Sequence, residues 1–293
     1  MRVAPRADGV DQLCWHPSHQ DQLATASGDK SVRFWCVLSR ASLPQSCWHA
    51  SSCAPKADAR SFRRDVRSAK CVAAVATSGE NINIAWSPDG KHVAVGNRED
   101  CITTLDVRTH RTVGSTKFDF EVNEFRWDRT GSLFFVTTGQ GTVEVLSYPS
   151  WEALHTLAAH TAGCYCLALD PRGGQLAVGS ADALVSLWAL DELCCLRTVS
   201  RLEKPVRALS FSHDGRFLAA GSQDHFIDIS LAGSGEQAYR INNGAEINSL
   251  AWNPRYLLLA YAAGDELRTN DEGLVCERAG GEGSLRIWGV ADR

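Results

Sequence analysis

The chain has 293 residues, 44% apolar and 22% charged, an ordinary globular composition that excludes a disordered or low-complexity polymer. A formal net charge of −4 supplies no basic excess of the kind that tracks nucleic-acid phosphates. The eleven cysteines are odd in number, scattered and without a C-x-x-C pair, which fits reduced thiols rather than a disulfide framework, and no apolar run approaches the ~18 residues that span a bilayer.

In chain order, residues 1–9 form an N-terminal extension whose sequence, MRVAPRADG, lacks the apolar core of a signal peptide, so an intracellular soluble protein is expected. From Val10 the segment VDQLCWHPSHQDQLATASGDKSVRFW alternates apolar and polar residues, the period-2 pattern of strands. Residues 36–64 lack that alternation and are rich in Ser, Ala and Arg, which predicts an irregular inserted loop between a third and a fourth strand. The strand pattern then returns in copies: NINIAWSPDGKHVAVGNREDCITTL from Asn81, VNEFRWDRTGSLFFVTTGQGTVEVL from Val122, CYCLALDPRGGQLAVGSADALVSLW from Cys164, VRALSFSHDGRFLAAGSQDHFIDIS from Val206 and INSLAWNPRYLLLAYAAGD from Ile247. The last copy resumes at GSLRIW after a second insertion, residues 266–282, which is net negative.

Each copy carries a bulky anchor, at Trp15, Trp86, Trp127, Leu169, Phe211 and Trp252, and from Trp86 onward these lie 41, 42, 42 and 41 residues apart. The sequences SPDG at Ser87, DPRGG at Asp170 and SHDG at Ser212 place Pro, Asp and Gly where a hairpin between the first two strands needs them. A second turn is expected near Asp29, Asp182 and Asp224, and a fourth strand in each linker, at 70–77, 111–117, 153–157, 195–200 and 238–242.

Four strands in about 42 residues, repeated along the chain, resemble the WD-repeat β-propeller family. The resemblance implies an all-β fold of six recognisable repeats over 10–293. In that family a His before the first strand, a Ser or Thr on the second, an Asp in the next turn and a Trp on the third form a structural tetrad. Here His160, Ser180, Asp182 and Trp188 occupy those places, with partial copies at Ser27/Asp29/Trp35 and Ser222/Asp224. A catalytic serine needs one poised base at one site, whereas this motif is spread over several units, so the structural reading is preferred.

The words VDQLCWHPS, TASGDKSVRFW, GENINIAWSPDG, AVGNRED and SRLEKPVRALSFSHDG, in this order, are similar to the WD-repeat subunit family of the THO assembly. The resemblance implies a non-enzymatic nuclear scaffold within the THO and transcription-export complexes. Its partners would be other THO subunits and mRNA-export factors, its role mRNA processing and mRNA export from the nucleus, and its RNA association indirect. Against the family pattern, an upstream repeat is missing and Trp15 to Trp86 spans 71 residues, so an incomplete seven-bladed ring with an exposed edge, or closure by six blades with strain, is expected.

The alternative, a WD-repeat substrate receptor of a ubiquitin ligase, requires an adaptor-binding segment that the sequence does not display. No Gly-rich phosphate loop and no H-E-x-x-H occurs, so no catalytic residue, cofactor or membrane association is assigned. Cys164/Cys166 and Cys194/Cys195 are too closely spaced for an ordinary zinc pair and read as buried or edge thiols, so no metal is assigned either. The basic run RSFRRDVR at 60–67 reads as a solvated loop rather than an RNA contact. The candidate partner-binding face lies four residues before each anchor, at Asp11, Asn123, Tyr165, Arg207 and Asn248, with Ile82 in the remaining copy.

Overall fold

A computed structural model describes residues 9–19, 21–36, 70–243, 245–263, 268–269, 275–276 and 284–290. The chain divides into two compact units, Met1–Ser115 and Thr116–Arg293.

The first unit holds two four-stranded antiparallel sheets. Blade 1 runs β1 (Val10–Trp15), β2 (Gln22–Ser27), β3 (Ser31–Cys36) and β4 (Lys70–Ala76). Blade 2 runs β5 (Asn81–Trp86), β6 (His92–Asn97), β7 (Cys101–Asp106) and β8 (Arg111–Lys117), whose last residues cross the unit boundary. Between the two sheets lies one apolar layer built from Ala24, Ala26, Val32, Phe34, Ile84, Trp86, Val93, Val95 and Leu105. Residues 37–64 of the expected inserted loop lie outside the described residues. Cys36 belongs to β3, paired with Gln22 on one side and Lys70 on the other, so regular structure extends one residue into the segment read as irregular.

The second unit holds four sheets. The blade-3 sheet has β9 (Val122–Trp127), β10 (Leu133–Thr138), β11 (Thr142–Ser147) and β12 (Ala153–Ala158). Blade 4 has β13 (Cys164–Leu169), β14 (Gln175–Ser180), β15 (Val185–Ala189) and β16 (Cys195–Val199). Blade 5 has β17 (Val206–Phe211), β18 (Phe217–Ser222), β19 (Phe226–Leu231) and β20 (Gln237–Asn242). Blade 6 has β21 (Ile247–Trp252), β22 (Leu258–Ala263) and β25 (Ser284–Gly289), with the short pair β23 (Arg268–Thr269) and β24 (Val275–Cys276) lying between its second and third strands in the chain.

Strand alternation explains how these sheets stack. Along β14, Leu176 and Val178 face blade 3, where they meet Phe135, Val143 and Leu157, with Trp188 of their own blade in the same layer. Ala177, between them, points the other way into a layer with Val206, Phe211, Leu218 and Phe226 of blade 5. Blade 5 in turn shares Ile227, Ile229 and Phe217 with Leu250, Trp252 and Tyr261 of blade 6. Sheets buried on both faces read as near-continuous apolar runs, as in Phe217–Ser222, every residue of which is buried. The outer strands differ: Arg111–Lys117 and Ala153–Ala158 are almost entirely exposed.

The hairpin turns follow the Gly positions of the sequence. Gly90, Gly173 and Gly215 all have positive φ, at 70°, 80° and 63°. At Gly215 a second constraint applies, because a Cβ would lie 2.2 Å from Asp170 Oδ1 and 2.6 Å from Arg172 Nε of the neighbouring blade. The absent side chain lets Arg172 Nη2 donate to the Gly215 carbonyl at 3.0 Å, joining the turns of blades 4 and 5.

Candidate functional site

Each first strand carries one β-bulge at the same place. Register is lost between Val10 and Gln12, Asn81 and Asn83, Val122 and Glu124, Cys164 and Cys166, Val206 and Ala208, and Ile247 and Ser249. The residues that the register skips are Asp11, Ile82, Asn123, Tyr165, Arg207 and Asn248. These are the six positions four residues before the anchors. A bulge releases its residue from the in-out alternation of the pleat and re-aims the side chain, a common device beside functional sites.

In the second unit four such residues fall on consecutive blades. Asn123 Nδ2 donates to the Cys164 carbonyl at 3.0 Å and so ties blade 3 to blade 4. The Arg207 guanidinium lies over the Tyr165 ring, with Cζ 4.6 Å from the ring centroid. Tyr165 is half-buried, whereas Arg207 and Asn248 are exposed. In the first unit Asp11 is exposed and Ile82 half-buried.

In blades 4, 5 and 6 the loop that leads into the first strand is tied down by side-chain bonds. In blade 4 the Trp188 indole N–H donates to Ser186 Oγ at 2.8 Å, Ser186 Oγ lies 2.9 Å from His160 Nε2, and His160 Nδ1 lies 3.1 Å from Asp182 Oδ2. With a neutral imidazole, all three are satisfied by a relay that runs one way: indole to hydroxyl, hydroxyl to imidazole, imidazole to carboxylate. Three of the four residues expected for the tetrad, His160, Asp182 and Trp188, are thus linked, but the hydroxyl is that of Ser186. Ser180 instead donates to the Ala162 carbonyl at 3.2 Å and accepts from Asp182 N at 3.2 Å. The physical reason is register, because the second-strand residue facing Ser186 is Val178, which has no hydroxyl to offer.

The order Ser186, His160, Asp182 matches that of a nucleophile, its base and the orienting acid. The surroundings differ from those of a hydrolase. Ser186 is only 2% exposed, and its oxygen is already an acceptor for the indole, so no carbonyl carbon can approach it.

The same places carry other chemistry one repeat further on. In blade 5 Asp228 stands where Ser186 stands in blade 4, and Arg201, the neighbour of the Leu202 that aligns with His160, takes the part of the imidazole. Arg201 Nε and Nη2 donate to the two oxygens of Asp228 at 2.9 and 2.8 Å, and Gln237 Nε2 adds a bond of 2.7 Å. Asp228 is 0% exposed. Burial alone would raise its pKa, but the bonds from Arg201, Ser230 and Gln237 outweigh it and hold the carboxyl below its ordinary range. In blade 6 Arg286 Nη1 donates to Asn243 Oδ1 at 2.8 Å. In blade 1 the Trp35 indole donates to Thr25 Oγ1 at 2.9 Å, a hydroxyl on the second strand.

The turn aspartates are consumed internally. Asp224 Oδ2 accepts from Glu203 N, Lys204 N and Ser222 Oγ at 2.9, 3.1 and 2.9 Å. Asp182 holds His160 and the Leu184 amide. Burial pushes the Cys164 thiol up to about 12 and the Cys166 thiol well above its ordinary value, so neither is a thiolate. Among the described residues no group of His, Cys, Asp and Glu is arranged to hold a metal ion, and no helix is long and apolar enough to cross a membrane. The basic run at 60–67 lies outside the described residues, as does most of the acidic insertion at 266–282.

Comparison with known proteins places these features in a family. The WD domain, G-beta repeat model matches residues 4–36, 151–189 and 193–229. The match at 151–189 spans the last strand of blade 3 and the first three of blade 4, so one sequence repeat links two sheets and carries His160 at its junction. THO complex subunit 3 of Arabidopsis thaliana is 51% identical over 266 residues, 91% of this chain and 75% of that protein. The WD repeat-containing protein AAC3 of Dictyostelium discoideum is 32% identical over 286 residues, 96% of this chain and 51% of that protein. Similarity to the human angio-associated migratory cell protein is lower, 27% over 111 residues, 38% of this chain and 25% of that protein. With half of the aligned residues identical over nine-tenths of its length, and a WD-repeat blade pattern throughout the described residues, the chain belongs to the THO complex subunit 3 family of WD-repeat proteins.

Proposed function

We propose that this chain is a non-enzymatic scaffold subunit of a nuclear THO assembly, supporting mRNA processing and export by holding other THO subunits and export factors. The bulge residues Asp11, Asn123, Tyr165, Arg207 and Asn248 provide the docking positions. RNA is reached through the assembly rather than by base-specific contacts of this chain. The observation that carries the reading is the 51% identity over 91% of the chain to a protein named THO complex subunit 3. Rigid double-faced sheets that present loops and bulges at one end suit docking, because the contact residues can change without disturbing the packed layers.

The experiment is affinity purification of the tagged full chain from nuclear extract, beside a Tyr165→Ala/Arg207→Ala variant. The wild-type chain is expected to recover THO subunits, and the variant to recover much less at an unchanged melting temperature. Recovery of ubiquitin-ligase adaptors in place of THO subunits would overturn the reading.

A further inference from the structure

We infer that the Tyr165–Arg207 pair is a receptor for a carboxylate-bearing segment of a partner protein, which it grips through the guanidinium held on the phenol ring. The inference rests on the docking reading above and adds the chemistry of the occupant.

With Cζ 4.6 Å from the ring centroid, the Arg207 guanidinium is held over the Tyr165 ring before any partner arrives. A guanidinium offers donors in a fork that matches a carboxylate in two-point fashion, and pre-organisation removes most of the ordering cost of forming that contact. Arg207 has no ion pair among the described residues. The two acids in the adjoining turns cannot serve it: Asp182 is held by His160 and the Leu184 amide, and Asp224 by two backbone amides and Ser222.

The row on consecutive blades is Asn123, Tyr165, Arg207 and Asn248. It therefore presents an amide, a phenol, a guanidinium and an amide, with no carboxylate among them. Such a row is complementary to an acceptor-rich, anionic occupant. Glu121 and Glu246 stand two residues before Asn123 and Asn248, and Glu203 stands four before Arg207. These acids repel a continuous phosphate backbone, whereas a peptide that sets one carboxylate on Arg207 can place neutral or basic residues beside them. A protein segment is thus favoured over RNA.

The test uses the full chain with a photo-crosslinking phenylalanine analogue at position 165, assembled with THO subunits in nuclear extract, and the crosslinked fragment is sequenced. The expected fragment is a peptide with an Asp or Glu near the crosslink. Arg207→Glu is expected to lower capture of that subunit at least tenfold, and a Lys at the crosslinked acid is expected to restore it. Melting curves of the variants should overlay the wild type, since Arg207 is exposed. Equal capture by Arg207→Glu, a crosslinked peptide without an acid, or a crosslink to RNA would overturn the inference while leaving the scaffold reading intact. Failure of the wild-type chain to capture any THO subunit would overturn both.

Discussion

Val178 and Ser186 face each other across β14 and β15, and the hydroxyl that anchors Trp188 stands on the Ser186 side of that pair. In blade 1 the corresponding pair is Thr25 and Arg33, and the hydroxyl that anchors Trp35 stands on the Thr25 side. The two blades reach the same indole bond from opposite strands, so the bond itself, rather than the residue that makes it, is what the architecture requires.

Replacing Ser186 with alanine leaves a buried indole N–H and a buried imidazole nitrogen unsatisfied, which costs about 1–3 kcal/mol. In a unit of this size that lowers the melting temperature by about 2–4 °C per kcal/mol. Adding Val178→Thr to Ser186→Ala moves the hydroxyl to the blade-1 arrangement and is expected to recover most of the loss. Thermal melts of the single and double variants check this, and an additive double variant would count against the exchange.

Blade 5 replaces that hydroxyl relay with a charge pair, and the two fail differently. Arg201→Ala strands the fully buried Asp228 carboxylate and is expected to cost about 3–5 kcal/mol, whereas replacing both residues with apolar side chains of similar size should be nearly neutral. Urea melts of the single and double variants separate the cases.

Acid should act on the same groups. Burial raises the carboxyl pKa values of Asp89 and Asp214, but Ser87 and Lys91 in the first case, and Ser212 and Arg216 in the second, bring both down to about 2; Asp228 is lowered as well. These folded values lie below the ordinary ~3.9, so the stability they contribute is complete above that value and is lost as pH falls through the folded values. Unfolding free energy should decline between about pH 4 and pH 2, and Asp214→Asn should flatten that decline. A pH-independent unfolding free energy over this range would refute the assignment.

Two glycine substitutions should have opposite signs. Gly215→Ala places a Cβ against Asp170 and Arg172 at a positive φ, so it should destabilise by more than about 1 kcal/mol. At Gly114, on an exposed outer strand, a Cβ meets nothing within 4 Å, so Gly114→Ala should stabilise by about 0.4–1 kcal/mol. Paired thermal melts decide it.

Much of this was legible in the sequence. The outer strand expected at 111–117 is found at Arg111–Lys117, and the one expected at 195–200 at Cys195–Val199, because each falls in the linker between one repeat and the next. The spacing to the anchors located all six bulge residues, since the bulge recurs at a fixed place in every first strand. The role of Ser186 was not read, although the clue was present: it lies two residues before Trp188 and so shares its face of the strand. The Arg201–Asp228 pair was missed for a related reason. Asp228 stands one repeat after Ser186 and Arg201 beside the position one repeat after His160, but a motif defined by residue type does not register a change from hydroxyl and imidazole to carboxylate and guanidinium. The stacking of Arg207 on Tyr165 joins residues on separate blades, and a repeat pattern carries no information about which rotamers meet.

The bulges also bear on how such a chain can change over time. A residue that pairs across a strand is constrained by its partner, and one that faces a packed layer is constrained by volume. Tyr165 and Arg207 escape the first constraint and largely the second, so under the proposed docking role mutation there is filtered by what the residue touches outside the chain. Each blade thus carries one position where binding preference can drift while the sheet beneath it stays fixed, and paralogues built on this frame can acquire different partners without having to refold.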